Sequence, residues 1–417
     1  MSLAVVNARL DGKRVTLRAE GGRIVRVGPR VEPHEGDEVI DARGMVLAPG
    51  LVNGHTHAAM TLFRGHGADL PLMEWLQRVI WPVEARLVAE DVYWGTRLAC
   101  LEMIRTGTVR FWDMYWHPGA TARAVQDAGI RATISAPLID AGNAASQVEL
   151  HDRAERSLEE IGEARELIDP ALGPHSIYTV SEASLRWVAE LAAERELPIH
   201  IHLSETEKEV DRCVAEHGAR PAEYLERVGL LGPRTLIAHG TWLDEEELAL
   251  VAARGATVVT NPVANLKLAV GRVFPYRSAR RQGVHVGLGT DGAGTNNSLD
   301  LFQDLKIFAL LQKHEARDPA ALPAQEAWEV ATGSLSPLLA GSTELAAGAP
   351  ADLLLLQADG PELAIGDLAA GIVYAASGAV VDTSVVNGRV LMRSGSVTGA
   401  EEVVARARAR CRRLGLL

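Results

Sequence analysis

Residues 46–57, VLAPGLVNGHTH, combine a short apolar run with two histidines at its end. Apolar runs of this length that contain or border Pro and Gly are typical of buried strands. Side chains alternate along a strand, so His55 and His57 are expected to point to the same side. Residues 89–107 then have the pattern of a helix and end at Gly107, a residue that suits the position just after a helix. The sequence therefore predicts a strand that carries two imidazoles and leads into a helix.

The same order of strand and helix recurs along the middle of the chain. Further strands are predicted at residues 108–115, 130–139, 171–180, 198–205, 235–242, 256–265 and 284–291. Helices are predicted after them at residues 120–129, 148–168, 181–196, 206–231, 244–255, 274–283 and 298–317. Eight such units predict an α/β fold in which parallel strands close into a (β/α)8 barrel of the TIM type. An open doubly wound sheet is the alternative, but no GxGxxG motif follows the first strand to support it.

Both ends of the chain have a different pattern, with short β-like runs between Gly-containing turns. Residues 1–45 show it, and so do residues 351–358 and 372–397. Asn387-Gly388 favours a tight hairpin turn within the last of these segments. We therefore expect a small β-sandwich domain made from residues 1–49 and 341–417, with residues 50–340 forming the barrel.

Composition narrows the class of protein. The 417 residues are 47% hydrophobic and carry a formal net charge of −12, so nucleic acid and anionic membranes are not expected as partners. Three well-separated cysteines favour neither a disulfide framework nor a thiolate zinc site. Neither a signal peptide nor a long apolar segment is recognisable, so the chain is expected to be cytoplasmic and to act on a small molecule.

Several polar side chains fall at the predicted carboxyl ends of strands, where barrel enzymes place their catalytic groups. Imidazole and carboxylate donors drawn from several strand ends suit zinc or another divalent transition ion. On strand 5 either His200 or His202 could be the ligand, because both lie on one face. Asp113, on strand 2, could be a pocket residue or a structural one. The remaining strand-end candidates are His55, His57, His175, Glu205, His239 and Asp291.

Six motifs distributed over the chain resemble those of the amidohydrolase superfamily. They are PGLVNGHTHAAMTLFRG, GPHSIYTVSE, IHIHLSETEKE, TLIAHG, NPVANLKL and GTDGAGTNNSLDLF. Within the superfamily they are similar to the branch of 5′-methylthioadenosine/S-adenosylhomocysteine deaminases and related aromatic deaminases. The resemblance implies that the metal ligands are His55, His57, His202 and Asp291, which leaves His200 as a core or supporting residue. It also implies that Glu205 and His239 handle protons and that Asp291 helps to orient and deprotonate the attacking water.

The same resemblance implies that Glu84 and His175 contact a nucleoside substrate and that Glu205 contacts it as well. Trp75 lies in the long segment after strand 1 and is a further candidate for stacking on the substrate. The implied reaction is hydrolytic deamination of 5′-methylthioadenosine, adenosine or another 5′-modified adenosine. S-adenosylhomocysteine is less expected, because Ala136 and Val148 stand where arginines would grip its carboxylate.

One divalent cation is expected, because none of the five lysines lies where a carboxylated lysine would bridge two ions. Zinc is the expected ion, with Fe2+ and Mn2+ as alternatives. The alternative enzymatic function is deamination of guanine or displacement at a pterin or triazine ring. The alternative to an enzyme is a catalytically inactive barrel used for binding. A homo-oligomer is also expected, since barrels of this kind often pair.

Overall fold

The computed structural model describes residues 2–67, 69–70, 72–140, 144–162, 167–339 and 345–417. Among these residues, no helix is both long enough and apolar enough to cross a membrane. The predicted boundary between residues 340 and 341 lies outside the described residues.

Eight strands from the two chain ends form one mixed sheet with its own apolar core. Met45–Pro49 runs antiparallel to Leu353–Gln357, and this pairing joins the N-terminal strands to the C-terminal ones. Asn387 and Gly388 both have positive φ and form the predicted hairpin turn. The strands are β1 (Ser2–Leu10), β2 (Lys13–Glu20), β3 (Arg23–Gly28), β4 (Glu38–Asp41), β5 (Met45–Pro49), and, after the barrel strands β6 to β15, β16 (Leu353–Gln357), β17 (Val381–Val386) and β18 (Arg389–Met392).

The middle of the chain supplies the barrel strands, which pair in parallel. The circle closes where the last strand meets the first, and the Asp291 N–H donates to the His55 carbonyl at 3.0 Å. This confirms the predicted (β/α)8 barrel with a small β domain built from both ends. The strands are β6 (Leu51–Thr56), β7 (Thr108–Met114), β8 (Arg131–Ser135), β9 (Pro137–Leu138), β10 (Ile168–Pro170), β11 (Gly173–Pro174), β12 (Ile199–Leu203), β13 (Thr235–His239), β14 (Thr257–Thr260) and β15 (His285–Leu288). β8 and β9 are two pieces of the third barrel strand, and β10 and β11, which pair with them, are two pieces of the fourth.

The predicted first strand is divided between the two parts of the molecule. β5 belongs to the terminal sheet, whereas β6 pairs with β7 in the barrel. Gly50 separates them, and a Cβ on Gly50 would approach the side chain of Val109 to 2.2 Å. The chain therefore needs glycine at the point where it leaves one sheet for the other.

Helices cover the outside of the barrel. One that the sequence patterns did not predict, Ala400–Leu414 near the C-terminus, packs against helix Ala89–Arg105 and against the 3-10 turn Ala58–Phe63. The helices are α1 (Leu72–Trp75), α2 (Trp81–Glu84), α3 (Ala89–Arg105), α4 (Pro118–Ala128), α5 (Ala144–Gly162), α6 (Glu182–Glu194), α7 (Glu207–His217), α8 (Pro221–Arg227), α9 (Glu245–Arg254), α10 (Pro262–Lys267), α11 (Tyr276–Gln282), α12 (Leu301–Ala316), α13 (Ala324–Ala331), α14 (Leu368–Ala370) and α15 (Ala400–Leu414). π-helical turns occupy Leu76–Ile80 and Gly371–Ala375, and a second 3-10 turn occupies Gly378–Val380.

The β-like reading of residues 372–380 is wrong. Ile372 and Val373 are consecutive and both buried inside the π turn, whereas a half-buried strand would alternate. Short apolar runs of this kind cannot be assigned to strand or helix from periodicity alone.

Candidate metal centre and active site

Five side chains from four strands of the barrel meet at its carboxyl-terminal mouth. His55 and His57 come from the end of β6, His202 from β12, His239 from β13, and Asp291 from the turn after β15. Asp291 Oδ1 lies 3.3 Å from His57 Nε2 and 3.5 Å from His55 Nε2. The Nε2 atoms of His202 and His57 are 3.4 Å apart. The structure thus brings the four residues predicted as metal ligands close together, in two overlapping groups that share His55: one with His57 and Asp291, the other with His202 and His239.

Hydrogen bonds behind the ring fix how two of these histidines face the centre. His57 Nδ1 donates to the Met114 carbonyl and His202 Nδ1 to the His175 carbonyl, each at 2.7 Å. A carbonyl oxygen can only accept, so Nδ1 carries the hydrogen and Nε2 presents its lone pair to the centre. His55 Nε2 is buried and has no hydrogen-bond partner in the described structure. Lone pairs aimed at one point, one of them otherwise unsatisfied, fit a divalent cation.

Burial keeps the cluster in the protonation state that a cation requires. It lowers the pKa of His55 and His202 well below the usual value for histidine. Burial alone would raise the pKa of Asp291, but the neighbouring His57 and His239 and the hydrogen bonds from Thr295 and Gly292 outweigh it and leave that pKa lowered. Neutral imidazoles and an ionised carboxylate are the ligand forms that bind a metal.

The backbone is strained where it delivers these groups. His239 and Asp291 have φ of 72° and 60°, in the left-handed region that costs most residues free energy but that His and Asp tolerate better than β-branched residues do. The Asp291 carboxylate accepts hydrogen bonds from Gly292 N at 2.7 Å and Thr295 Oγ1 at 2.8 Å. These contacts hold the carboxylate in the direction of the histidines.

Glu205 faces the same centre from the turn after β12. Its Oε2 lies 4.0 Å from His239 Nε2, and the side chain is buried. Burial raises the pKa of Glu205, and the nearby Asp291 carboxylate raises it further, whereas His239 acts to lower it. A buried carboxyl with a raised pKa is suited to carrying a proton near neutral pH.

Two residues that the sequence analysis did not single out position this pair. The Glu209 carboxylate accepts the N–H groups of Ser204 and Glu205 at 2.8 and 2.9 Å. His239 Nδ1 donates to Asn265 Oδ1 at 2.9 Å, which leaves His239 Nε2 facing Glu205. Both residues lie inside quoted motifs, and a Glu in the first turn of the helix that follows a catalytic strand was the available signal for Glu209.

A cavity of about 490 Å3 opens directly over the cluster. Its floor is formed by His57, His202 and Asp291 together with Glu205 and His239. Its walls come mainly from apolar and aromatic side chains on the segment after β6 and on neighbouring strand ends. They include Met60, Trp75, Leu76, Ile80, Trp81, Glu84, Tyr115, Trp116, Ile139, His175 and Tyr178. A concave apolar site with a few polar groups is the usual form of a small-molecule site.

Three predicted substrate contacts lie on this wall. Glu84 accepts a hydrogen bond from the Tyr115 hydroxyl at 2.7 Å, and burial raises the pKa of Glu84 while that hydrogen bond opposes the shift. Trp75 is buried, and its Nε1 donates to the His66 carbonyl at 2.9 Å, which fixes the indole. Burial lowers the pKa of His175 to about 4, so it is neutral.

The remaining candidates lie behind the site. The Asp113 carboxylate accepts the Ala58 N–H at 2.6 Å and is fully buried, and burial raises its pKa to about 7. It anchors the turn after β6 and does not line the cavity. His200 contacts His55, and half-buried His285 lies at the start of β15, away from the mouth.

A second cavity, of about 640 Å3, adjoins the first and shares Trp81, Glu84 and Trp116 with it. Ala136 lines it, and so do Arg153 and Arg156 of α5, whereas Val148 is exposed. The Arg153 guanidinium lies over the Trp116 ring, 5.3 Å from its centroid. Arg153 and Arg156 therefore flank the space next to Glu84.

Known proteins match most of the chain. The model of the amidohydrolase family matches residues 46–391. A 5′-deoxyadenosine deaminase of Methanoregula boonei is 49% identical over 91% of this chain and 87% of its own length. A 5-methylthioadenosine/S-adenosylhomocysteine deaminase of Archaeoglobus fulgidus is 42% identical over 93% of this chain and 91% of its own.

A solved structure agrees with these relatives. The adenosine deaminase of Xanthomonas campestris, with bound zinc, is 34% identical and superimposes with a TM-score of 0.87. The match covers 97% of this chain and 94% of the bacterial one.

Proposed function

Because this chain belongs to the amidohydrolase family and is a hydrolase of carbon–nitrogen bonds of the deaminase type, we propose that it deaminates a 5′-modified adenosine. The products are ammonia and the corresponding inosine. 5′-Deoxyadenosine and 5′-methylthioadenosine are the proposed best substrates. The observation that carries the proposal is one cavity that holds the His–Asp cluster, Glu205 and the Glu84 carboxylate together.

The proposed cofactor is one zinc ion held by His55, His57, His202 and Asp291. These residues offer three imidazoles and one carboxylate, and a zinc-containing relative has the same fold. Bound there, a divalent cation would lower the pKa of a water molecule and so make it a better nucleophile near neutral pH.

Proton transfer is the task of Glu205 and His239. His239 Nε2 and the Glu205 carboxylate face each other across 4.0 Å at the floor of the cavity. In the proposed mechanism His239 and Asp291 orient the attacking water and accept its proton, and Glu205 protonates a ring nitrogen of the adenine. Protonation makes the amino-bearing carbon electrophilic, and the water oxygen adds to it. The proton taken from the water passes to the amino group, which leaves as ammonia, and the remaining hydroxyl proton returns to Glu205 as the carbonyl forms.

The nucleoside is oriented by the walls. Trp75, held by its indole N–H, offers an aromatic surface for the base. Glu84 offers carboxylate oxygens to the ribose hydroxyls. His175, neutral and on the same wall, can exchange a hydrogen bond with the substrate. The 5′ group then lies toward the second cavity, beyond Glu84. Trp81 and Trp116 form the boundary of that cavity, and their aromatic rings favour a small apolar group.

The test is ammonia release across a substrate panel with metal content measured on the same sample. The panel contains 5′-deoxyadenosine, 5′-methylthioadenosine, adenosine, S-adenosylhomocysteine, guanine, cytosine and a triazine. We expect the first two to give the highest kcat/KM. Highest activity on guanine or a triazine would contradict the nucleoside assignment, and zinc-loaded protein without any activity would support an inactive barrel. S-adenosylhomocysteine as the best substrate would show that Arg153 and Arg156 supply the clamp that Ala136 does not.

A further inference from the structure

His200 is a histidine of the barrel interior that the proposed mechanism does not use. It lies on β12 two residues before His202, so both side chains are on the same face of the strand. The residue is fully buried. Its Nε2 is 2.8 Å from Nδ1 of His55, a hydrogen-bond distance. One of the proposed metal ligands is therefore supported by a second imidazole.

This support differs from that of the other ligand histidines. His57 and His202 each donate Nδ1–H to a backbone carbonyl, which can only accept. An imidazole nitrogen can either donate or accept, so the contact at His55 does not by itself fix which nitrogen carries the hydrogen. If His200 donated, His55 would carry its own hydrogen on Nε2, and that atom could not bind a cation. The ligand state of His55 depends on which role His200 takes.

The position of His55 favours acceptance by His200. His55 Nε2 lies 3.5 Å from Asp291 Oδ1 among the possible metal ligands, and it has no hydrogen-bond partner in the described structure. A neutral imidazole has one N–H and one lone pair. If the lone pair of His55 is on Nε2, facing this cluster, its hydrogen is on Nδ1, where His200 Nε2 is the partner at 2.8 Å. His200 then accepts at Nε2 and carries its own hydrogen on Nδ1.

We propose that His200 is a positioning residue that accepts the Nδ1–H of His55 and so holds the His55 Nε2 lone pair toward the cation. The proposal rests on the metal site of the proposed function. It assigns to His200 no contact with substrate. Its consequence is a specific loss of metal affinity when the acceptor is removed, because partners behind a metal-bound histidine typically contribute about 10- to 100-fold in affinity.

The experiment compares Zn2+ affinity of the full-length enzyme and two variants by competition with a chelator, without substrate. His200→Phe keeps a planar ring but removes the acceptor, and we expect its Zn2+ affinity to fall about 10- to 100-fold. His200→Gln places an amide oxygen at the reach of Nε2, and we expect most of that loss to be restored. His285→Phe, a ring substitution on another barrel strand, is the control and should bind Zn2+ like the wild type.

Equal Zn2+ affinity in His200→Phe and wild type would overturn the proposal, and so would a His200→Gln variant as weak as His200→Phe. Histidine-labelled 15N NMR of the zinc-loaded wild type gives a result that needs no variant to fold. We expect His200 to carry its hydrogen on Nδ1, and a hydrogen on Nε2 would overturn the proposal. Wild-type protein that binds no Zn2+ would instead overturn the metal site, whereas missing deaminase activity would leave the His200 result intact.

Discussion

Two buried carboxylates in this molecule have opposite surroundings. Asp91, at the start of α3, receives Arg410 and Arg413 of the C-terminal helix α15, with Arg410 Nε 2.7 Å from Asp91 Oδ1. Burial alone would raise the pKa of Asp91, but the two arginines outweigh it and leave the pKa lowered. Glu205, at the barrel mouth, has no arginine or lysine among its described partners and has a raised pKa caused by burial.

The contrast separates stability from function. A buried charge with several cationic hydrogen bonds holds two elements together, and removing it destabilises the fold. A buried carboxyl that lacks such partners costs free energy in the folded protein and remains available to a ligand. The account therefore predicts that substitutions at Asp91 change stability with little effect on turnover, and that substitutions at Glu205 do the reverse.

The largest expected effect is at Glu205. Glu205→Gln keeps the shape of the side chain but cannot carry the proton, so kcat should fall by about 10³-fold, within the range usual for acid–base catalysis. Zinc content and Tm should match the wild type. A metal-loaded Glu205→Gln enzyme with near-normal kcat in the ammonia assay would remove Glu205 from this role.

The next effect is at Asp91. Asp91→Asn should lower the free energy of unfolding by about 3 kcal/mol, because Arg410 and Arg413 lose their common anion. Denaturant unfolding measures this, and kcat/KM of the folded variant should be unchanged. The pKa of Asp91 is lowered in the native state, so its stabilisation is present at neutral pH and disappears as the pH falls through that lowered pKa.

A matched control for Asp91 lies on the same C-terminal helix. Glu402 and Arg406 form an exposed i,i+4 pair at 3.5 Å, and Glu402→Gln should change stability by less than about 0.5 kcal/mol. Equal effects of Glu402→Gln and Asp91→Asn would contradict the distinction between buried and exposed pairs.

Glu209 gives a smaller effect that links back to Glu205. In Glu209→Gln an NH2 group replaces one of the two carboxylate oxygens, so the backbone N–H of either Ser204 or Glu205 loses its acceptor. Glu205 should then be less well positioned, and kcat should fall about 10- to 100-fold. In the Glu205→Gln background the same substitution should cost almost nothing further. Additive losses in this double-mutant cycle would show that Glu209 does not act through Glu205.

The smallest expected effect is the pH dependence contributed by Glu84. Burial raises the pKa of Glu84 above its usual 4.5, and the carboxylate is lost as the pH falls through that value. Protonated Glu84 should bind the ribose less well. As the pH is lowered, KM should therefore begin to rise at a higher pH than it would with a glutamate of ordinary pKa. Glu84→Gln should remove this acidic limb and lower kcat/KM at neutral pH about tenfold. If the acidic limb of the pH profile were unchanged in Glu84→Gln, a group other than Glu84 would be its cause.

Much of the fold and of the candidate site follows from local sequence patterns. Alternation along a strand places His55 and His57 on one face, and the strand–helix order fixes which end of the barrel receives them. The strand-end motifs contain every residue of the two overlapping groups that the structure brings together, His55–His57–Asp291 and His55–His202–His239. The roles of those residues remain proposals.

What could not be predicted depends on contacts between distant segments. Asp91 meets Arg410 across 319 residues, and no local pattern indicates that α15 docks there. The division of the first strand at Gly50 is set by the approach of Val109 from the next strand. Arg153 and Arg156 are about 70 residues from Glu84 in the sequence, and only the fold brings α5 beside it.

The proposed chemistry depends on one cation held by side chains from three barrel strands. Anomalous diffraction at the zinc edge, from crystals of zinc-reconstituted enzyme, locates that ion. We expect one strong peak per chain within coordination distance of His55, His57, His202 and Asp291. Peaks elsewhere, or no peak among these four residues in protein shown to contain zinc, would show that these side chains do not hold the ion.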